Sequence, residues 1–196
     1  MTQVSQQKSN QKQNNQLRII AGQWGGRKLT FPDLSGLRPT SDRIRETLFN
    51  WLQADVIGSR CLDLYAGSGA LGLEALSRGA GEVMFVDNAQ AVISSLKQNM
   101  TVLKDERGQT LRYDAFSYIE REDILPFDIV FLDPPFKLGL MEKTIKVLQK
   151  SRCLKDGSLI YIEIEKRLDV TVPDEWKCLK EKKAGQVKYM LFEVSH

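Results

Sequence analysis

The sequence predicts a doubly wound α/β fold with a mostly parallel sheet. Three observations carry that expectation. Short apolar runs alternate with helical stretches from Arg60 onward. A glycine-rich turn follows the first of these runs. An aspartate closes each of four successive runs: Asp63, Asp87, Asp114 and Asp133. The alternation implies parallel strands joined by right-handed crossovers. In such sheets ligands bind beyond the carboxyl ends of the strands.

The elements follow in order. Residues 1–16 are polar and rich in Gln, Asn and Ser, a composition of disordered tails. Residues 17–53 form an extension that faces substrate. In it, 18–21 and 28–30 flank Gln23-Trp24-Gly25-Gly26-Arg27, which reads as a small hairpin. Its Trp24 suits a substrate contact and a lid on the core equally. Pro39 and Thr40 then open a helix running through Leu52, with Ile44, Leu48, Trp51 and Leu52 on one face. Residues 54–196 form the main domain. Strands are expected at 61–65, 82–87, 110–113, 128–133 and 158–164, and helices near 70–79, 89–103 and 139–151. The end differs: 176–183 and 187–194 meet at Ala184-Gly185-Gln186, which reads as an antiparallel hairpin on the sheet edge. The total is seven strands.

Two segments carry chemistry. Asp133-Pro134-Pro135-Phe136 follows the apolar run Ile129-Val130-Phe131-Leu132. The prolines fix their own φ, donate no N–H and restrict the residue before them, so the backbone cannot continue a helix or pair normally. Carboxylate and carbonyl acceptors then converge beside an aromatic ring, which suits an amino group on a planar base. A proline-rich turn with Phe136 tucked into the core gives the same tetrapeptide. The second segment is Asp63-Leu64-Tyr65-Ala66-Gly67-Ser68-Gly69-Ala70-Leu71-Gly72. Its glycines match G-x-G-x-x-G, a pattern open to NAD, FAD or S-adenosylmethionine. Asp63 favours S-adenosylmethionine: a carboxylate there meets a cationic amine and repels a pyrophosphate. Asp87, followed by Asn88, is placed for ribose hydroxyls. Asp114 is placed for an adenine amino group, with Ala115 and Phe116 flanking the ring. A helix N-cap would account for any one of these acids alone.

The 196 residues, 42% of them hydrophobic, suffice for one packed domain. No run approaches the ~18 apolar residues of a membrane span, and no signal-peptide core opens the chain, so a cytoplasmic protein is expected. Cys61, Cys153 and Cys178 are widely spaced and the lone His196 is terminal, so no metal site is expected. Nothing demands a dimer, and a monomer is expected. The net charge of +3 hides an asymmetry. Residues 1–45 hold eight basic residues against Asp33 and Asp42, a charge of +6, which leaves −3 for the remainder. A basic front on a mildly acidic body suggests a polyanion.

The fuller pattern resembles a known family. Asp63-x-Tyr65-x-Gly67-x-Gly69, Asp87, Asp114 and Asp133-Pro134-Pro135-Phe136, in that order, are similar to class I methyltransferases acting on exocyclic amino groups. Leu17-Arg18-Ile19-Ile20-Ala21-Gly22, Gly26-Arg27-Lys28-Leu29 and the stretch from Leu37 to Asn50 resemble the RsmD-type guanine-N2 methyltransferases of bacterial 16S ribosomal RNA. The resemblance runs from about Leu17 to the end. It implies a Rossmann-like class I methyltransferase fold and S-adenosylmethionine as cofactor, held by Asp63, Tyr65, Ala66, Gly67, Ser68, Gly69, Asp87, Asn88, Asp114, Ala115 and Phe116. It implies catalysis at Asp133, Pro134, Pro135 and Phe136. The substrate implied is one guanine of 16S ribosomal RNA in the small subunit, contacted through Arg18, Arg27, Lys28, Arg38, Thr40, Arg43 and Arg45. Adenine-N6 methylation is the alternative, with NAD-dependent oxidoreduction behind it.

Overall fold

The computed structural model describes residues 15–34, 36–135 and 139–195. The disordered tail expected at residues 1–16 lies outside them, except Asn15 and Gln16. Phe136 lies outside them as well.

An N-terminal hairpin pairs β1 (Asn15–Arg18) with β2 (Lys28–Phe31). The strand starts and ends earlier than expected. The amides of Ile20 and Ala21 leave the ladder to donate to the two Glu74 carboxylate oxygens, at 2.8 and 3.1 Å. Helix α1 (Asp42–Trp51) begins two residues later than expected, because the Ser41 hydroxyl caps it by accepting from the Ile44 amide. The main domain runs β3 (Arg60–Asp63), α2 (Ala70–Ser77), β4 (Glu82–Asp87), α3 (Gln90–Leu103), β5 (Gly108–Arg112), α4 (Ala115–Ile119), β6 (Ile129–Leu132), α5 (Leu140–Leu148), β7 (Leu159–Glu165), β8 (Trp176–Ala184) and β9 (Val187–Val194). The order across the sheet is β5-β4-β3-β6-β7-β9-β8. All pairs are parallel except those made by β9. This is the expected seven-stranded, mostly parallel class I methyltransferase sheet with its reversed hairpin. Helix α4 was not expected; Asp114 nucleates it by accepting from the Ser117 amide at 2.9 Å.

The central strand β6 is apolar and buried on both faces, as a parallel sheet covered on both sides requires. Its residues divide between two cores. Ile129 and Phe131 join α1, α2, α3 and the N-terminal hairpin, with Leu17, Trp24, Leu48, Phe49, Leu73 and Phe85 among the neighbours. Val130 and Leu132 join α4 and α5, with Tyr118, Ile145, Ile160 and Phe192. Trp24 is buried, and its amide donates to the Ser77 hydroxyl at 3.0 Å. The Trp24 turn therefore packs on the core. At Gly22, where φ is +80°, an added Cβ would lie 2.0 Å from the Ser77 carbonyl oxygen. The hairpin reaches α2 only because that side chain is missing.

A fully buried ion pair locks the hairpin and α1 to α2. Arg45 and Glu74 have no exposed side-chain surface, and Arg45 Nη1 lies 3.4 Å from Glu74 Oε2. Arg78 Nε adds a second cation at 2.8 Å from Oε1. Arg45 Nη2 donates to Asp42 at 2.7 Å and to the Arg18 carbonyl at 2.9 Å. Its Nε donates to the Thr40 carbonyl at 3.1 Å. The expectation that Arg45 meets RNA is therefore corrected. Its donors are committed inside the protein, because α1 turns this position toward α2. Removing one partner of a buried pair strands the other charge, so Arg45→Ala should cost about 3–5 kcal/mol of stability. Urea unfolding of the variant checks this.

Candidate active site

A cleft of about 1490 Å³ opens at the carboxyl ends of β3, β4, β5 and β6, where the strand order reverses. Its volume exceeds the ~300–1,000 Å³ of a typical small-molecule pocket, leaving room for a cofactor and a base. Asp63, Tyr65, Ala66, Gly67, Ser68, Asp87, Asn88, Asp114, Ala115 and Phe116 line it. Gly69 does not.

The glycines of the turn have separate physical roles. Gly67 has φ of +51°, and an added Cβ would meet nothing closer than 3.7 Å. The space before it is open to a ligand. At Gly69, with φ of +76°, a Cβ would lie 2.4 Å from Leu96. At Gly72 it would lie 2.2 Å from Phe85. Those two glycines let α2 pack against α3 and the sheet.

The acids differ in environment. Asp63 is buried, and its Oδ2 accepts from the Gly72 amide at 3.0 Å, which caps the first turn of α2. A pyrophosphate seated there would face a carboxylate. Burial pushes the Asp63 carboxyl up to about 7, and the charge of Asp87 adds to the shift. Asp87 accepts from the Gly67 amide at 3.0 Å and the Ala89 amide at 2.8 Å, which ties the glycine turn to β4. A carboxylate has about four lone-pair sites, so Asp87 keeps capacity for hydroxyl groups. The Ser117 amide and hydroxyl hold Asp114 below the usual carboxylate range, the amide foremost. The Lys143 ammonium sits 4.4 Å from the Phe116 ring centre. The Tyr65 hydroxyl pairs with Thr144 at 2.6 Å, which fixes the ring at the cleft wall.

Asp133, Pro134 and Pro135 form the far end of the cleft. The Thr40 hydroxyl donates to Asp133 Oδ2 at 3.3 Å. Asp133 keeps part of its surface on the cleft, yet loss of water drives its carboxyl well above its ordinary value, and the charges of Glu163 and Asp63 push the same way. Glu163 lines the same end, and its own carboxyl is raised by burial. Sequence reasoning missed it. One acid in the apolar run Leu159-Ile160-Tyr161-Ile162-Glu163-Ile164 gives no sign of what faces it, and only the packing of β7 between β6 and β9 sets it beside Asp133.

The basic residues separate. Arg38 and Arg43 line the cleft, and Thr40 lies buried within it. Arg18 is exposed but paired with Asp42 at 2.9 Å. Arg27 and Lys28 are exposed on the hairpin and do not line the cleft. Lys166 and Arg167, beyond the end of β7, also line the cleft and were not expected.

A family model described as "Conserved hypothetical protein 95" matches residues 17–193. The ribosomal RNA small subunit methyltransferase D of Escherichia coli is 47% identical over 187 residues, covering 95% of this chain and 94% of that protein. The chain belongs to this methyltransferase family. A solved Escherichia coli structure, provisionally described as methyltransferase yhhF, matches with a TM-score of 0.85 at 45% identity, over 92% of this chain and 99% of that one. A Thermus thermophilus 16S rRNA methyltransferase solved with AdoMet and guanosine shares the fold, with a TM-score of 0.68 at 23% identity over 94% of this chain and 50% of its own. The reversed β9 and the capped α2 terminus suit this family better than a dinucleotide dehydrogenase.

Asp63 gives the family member a measurable pH dependence. Its folded value of about 7 lies above the ordinary 3.8. The native state therefore binds the extra proton, and the associated stability is full below about pH 4 and lost as pH rises through 7. Up to about 4 kcal/mol is at stake at one pKa unit per 1.36 kcal/mol. Asp63→Asn keeps an acceptor for Gly72 without the charge. Thermal melts from pH 4 to 8 should show a shallower loss for Asp63→Asn than for the natural protein.

Proposed function

We propose that this enzyme transfers the methyl group of S-adenosylmethionine to the exocyclic N2 of a guanine in small-subunit ribosomal RNA. The observation that carries the reading is Asp133. Its carboxyl sits at the end of β6, held by Thr40, in the same cleft as Asp63, Asp87 and Asp114. The residues present suit the cofactor: an open glycine turn, a buried acid for an amine, a fixed acid at the end of β4 for a diol, and a capped acid beside an aromatic ring.

The sulfonium of the cofactor supplies an electrophilic methyl group that needs no further activation. The guanine N2 lone pair is delocalised into its ring and is a poor nucleophile. Asp133 and the Pro134 carbonyl accept its two hydrogens and hold the nitrogen toward the cofactor. That hold favours pyramidal nitrogen and localises the lone pair. The proton that nitrogen loses on methylation leaves through the Asp133 carboxylate. Orientation supplies much of the rate, as in other well-placed bimolecular reactions. Phe136 stacks on the extruded base. Arg38 and Arg43 meet backbone phosphate near the entrance. The enzyme works as a cytoplasmic monomer on the small subunit.

Label from S-adenosylmethionine should enter small subunits taken from a strain without this protein. Nucleoside analysis should find it in N2-methylguanosine. Asp133→Ala should lower the rate by at least about 100-fold while cofactor binding persists, in the range of lost positioning and lost transition-state contacts. Label in N6-methyladenosine would keep the amino chemistry and overturn the target.

A further inference from the structure

Guanine and adenine both offer an exocyclic amino group, but the neighbouring ring nitrogens differ. Guanine N1 carries a hydrogen beside N2. Adenine N1 carries a lone pair beside N6. An enzyme that extrudes its base can read this edge directly.

The cleft holds two carboxylates that match the guanine edge. Leu132 on β6 pairs with Ile162 on β7, and the next residue on each chain is an acid, Asp133 and Glu163. Neighbouring strands lie about 4.8 Å apart, which sets the two acids side by side. Both line the cleft. Each is held from behind by a hydroxyl. Tyr161 donates to Glu163 Oε2 at 2.7 Å, and Thr40 donates to Asp133 Oδ2 at 3.3 Å. Tyr161 and Glu163 are i and i+2 on β7 and so share one face of the sheet. A phenol that donates to a carboxylate fixes that group as an acceptor. The groups facing Glu163 are Asp133 beyond β6, the Thr40 hydroxyl ahead of α1, Tyr161 on its own strand, and Tyr189, its partner in the register of β9. Among the described residues no cation forms an ion pair with Glu163 or Asp133, since Arg45 is occupied by Asp42 and Glu74.

We propose that Glu163 determines base specificity, its carboxylate accepting the guanine N1 hydrogen while Asp133 and Pro134 hold the N2 hydrogens. This rests on the guanine-N2 reading above. The acceptor set fits three adjacent hydrogens. It opposes adenine, whose N1 lone pair would face a buried carboxylate. It also explains an acid retained at 5% exposure in an interior strand.

The probe is 2-aminopurine, which keeps the methyl-accepting amino group, replaces the N1 hydrogen with a lone pair and lacks the 6-oxo group, a loss common to both enzymes compared below. Small subunits are reconstituted with 2-aminopurine at the nucleotide that the natural enzyme methylates. The natural enzyme should lose about 10–100-fold in kcat/KM relative to guanine, as expected for an unpaired buried charge. Glu163→Gln keeps the shape and can turn its amide donor toward the lone pair, so its ratio between the two bases should fall to about threefold or less. The ratio is taken within one protein preparation, so partial loss of folded enzyme cancels. Should Glu163→Gln fail to fold, Tyr161→Phe releases Glu163 and should narrow the same ratio. An unchanged ratio in the folded variant, or equal rates on both bases with the natural enzyme, overturns the proposal and leaves the guanine-N2 reading standing. Absence of any guanine methylation by the natural enzyme overturns both.

Discussion

The buried pair between Arg45 and Glu74 is the interaction on which the rest depends. Two charges without solvent exposure are costly to bury, and a pair of this kind persists only when further hydrogen bonds satisfy both groups. Here the satisfaction is extensive. Glu74 takes the amides of Ile20 and Ala21 and the Arg78 guanidinium. Arg45 spends its remaining donors on Asp42 and on the carbonyls of Arg18 and Thr40. One interaction therefore joins the N-terminal hairpin, α1 and α2. It also reaches the cleft. The Thr40 carbonyl is held by Arg45 and the Thr40 hydroxyl holds Asp133, so a surface extension positions the acid that ends the central strand.

Much of this was legible in the sequence. The four strand-closing acids were visible because parallel strands are short apolar runs, and an acid at the end of one stands out. The reversed C-terminal hairpin was visible from its Gly185 turn. Arg45 misled because it stands beside Arg43 near the start of a helix. One residue rotates a helical side chain by about 100°, and only packing decides which arginine turns inward. Glu163 was hidden because it is a single acid inside an apolar run, and only the pairing of β7 with β6 sets it beside Asp133. Helix α4 was too short for a periodic signal, although the three-residue spacing from Asp114 to Ser117 is that of a cap.

The cleft carries a gradient of carboxyl environments. Asp114, capping α4 at the open side, is held below its ordinary value by hydrogen bonds. Asp63, Asp133 and Glu163 are raised, each chiefly by loss of water. The outer acid suits polar groups of a ligand. The inner three suit hydrogens of amino and ring nitrogens, because a donor arriving there replaces the missing water. The glycine turn divides similarly: Gly67 faces the open space, while Gly69 and Gly72 serve packing.

The central claim is that Arg45 and Thr40 place Asp133 for catalysis. Single-turnover methyl transfer by Thr40→Val and Thr40→Ser, with cofactor affinity measured in parallel, tests it most directly. The account predicts that serine, which keeps the hydroxyl, stays within about threefold of the natural rate. Valine should lose about 10-fold or more with cofactor binding unchanged, as expected for a misplaced reacting group. A valine variant as fast as the natural enzyme would contradict the account.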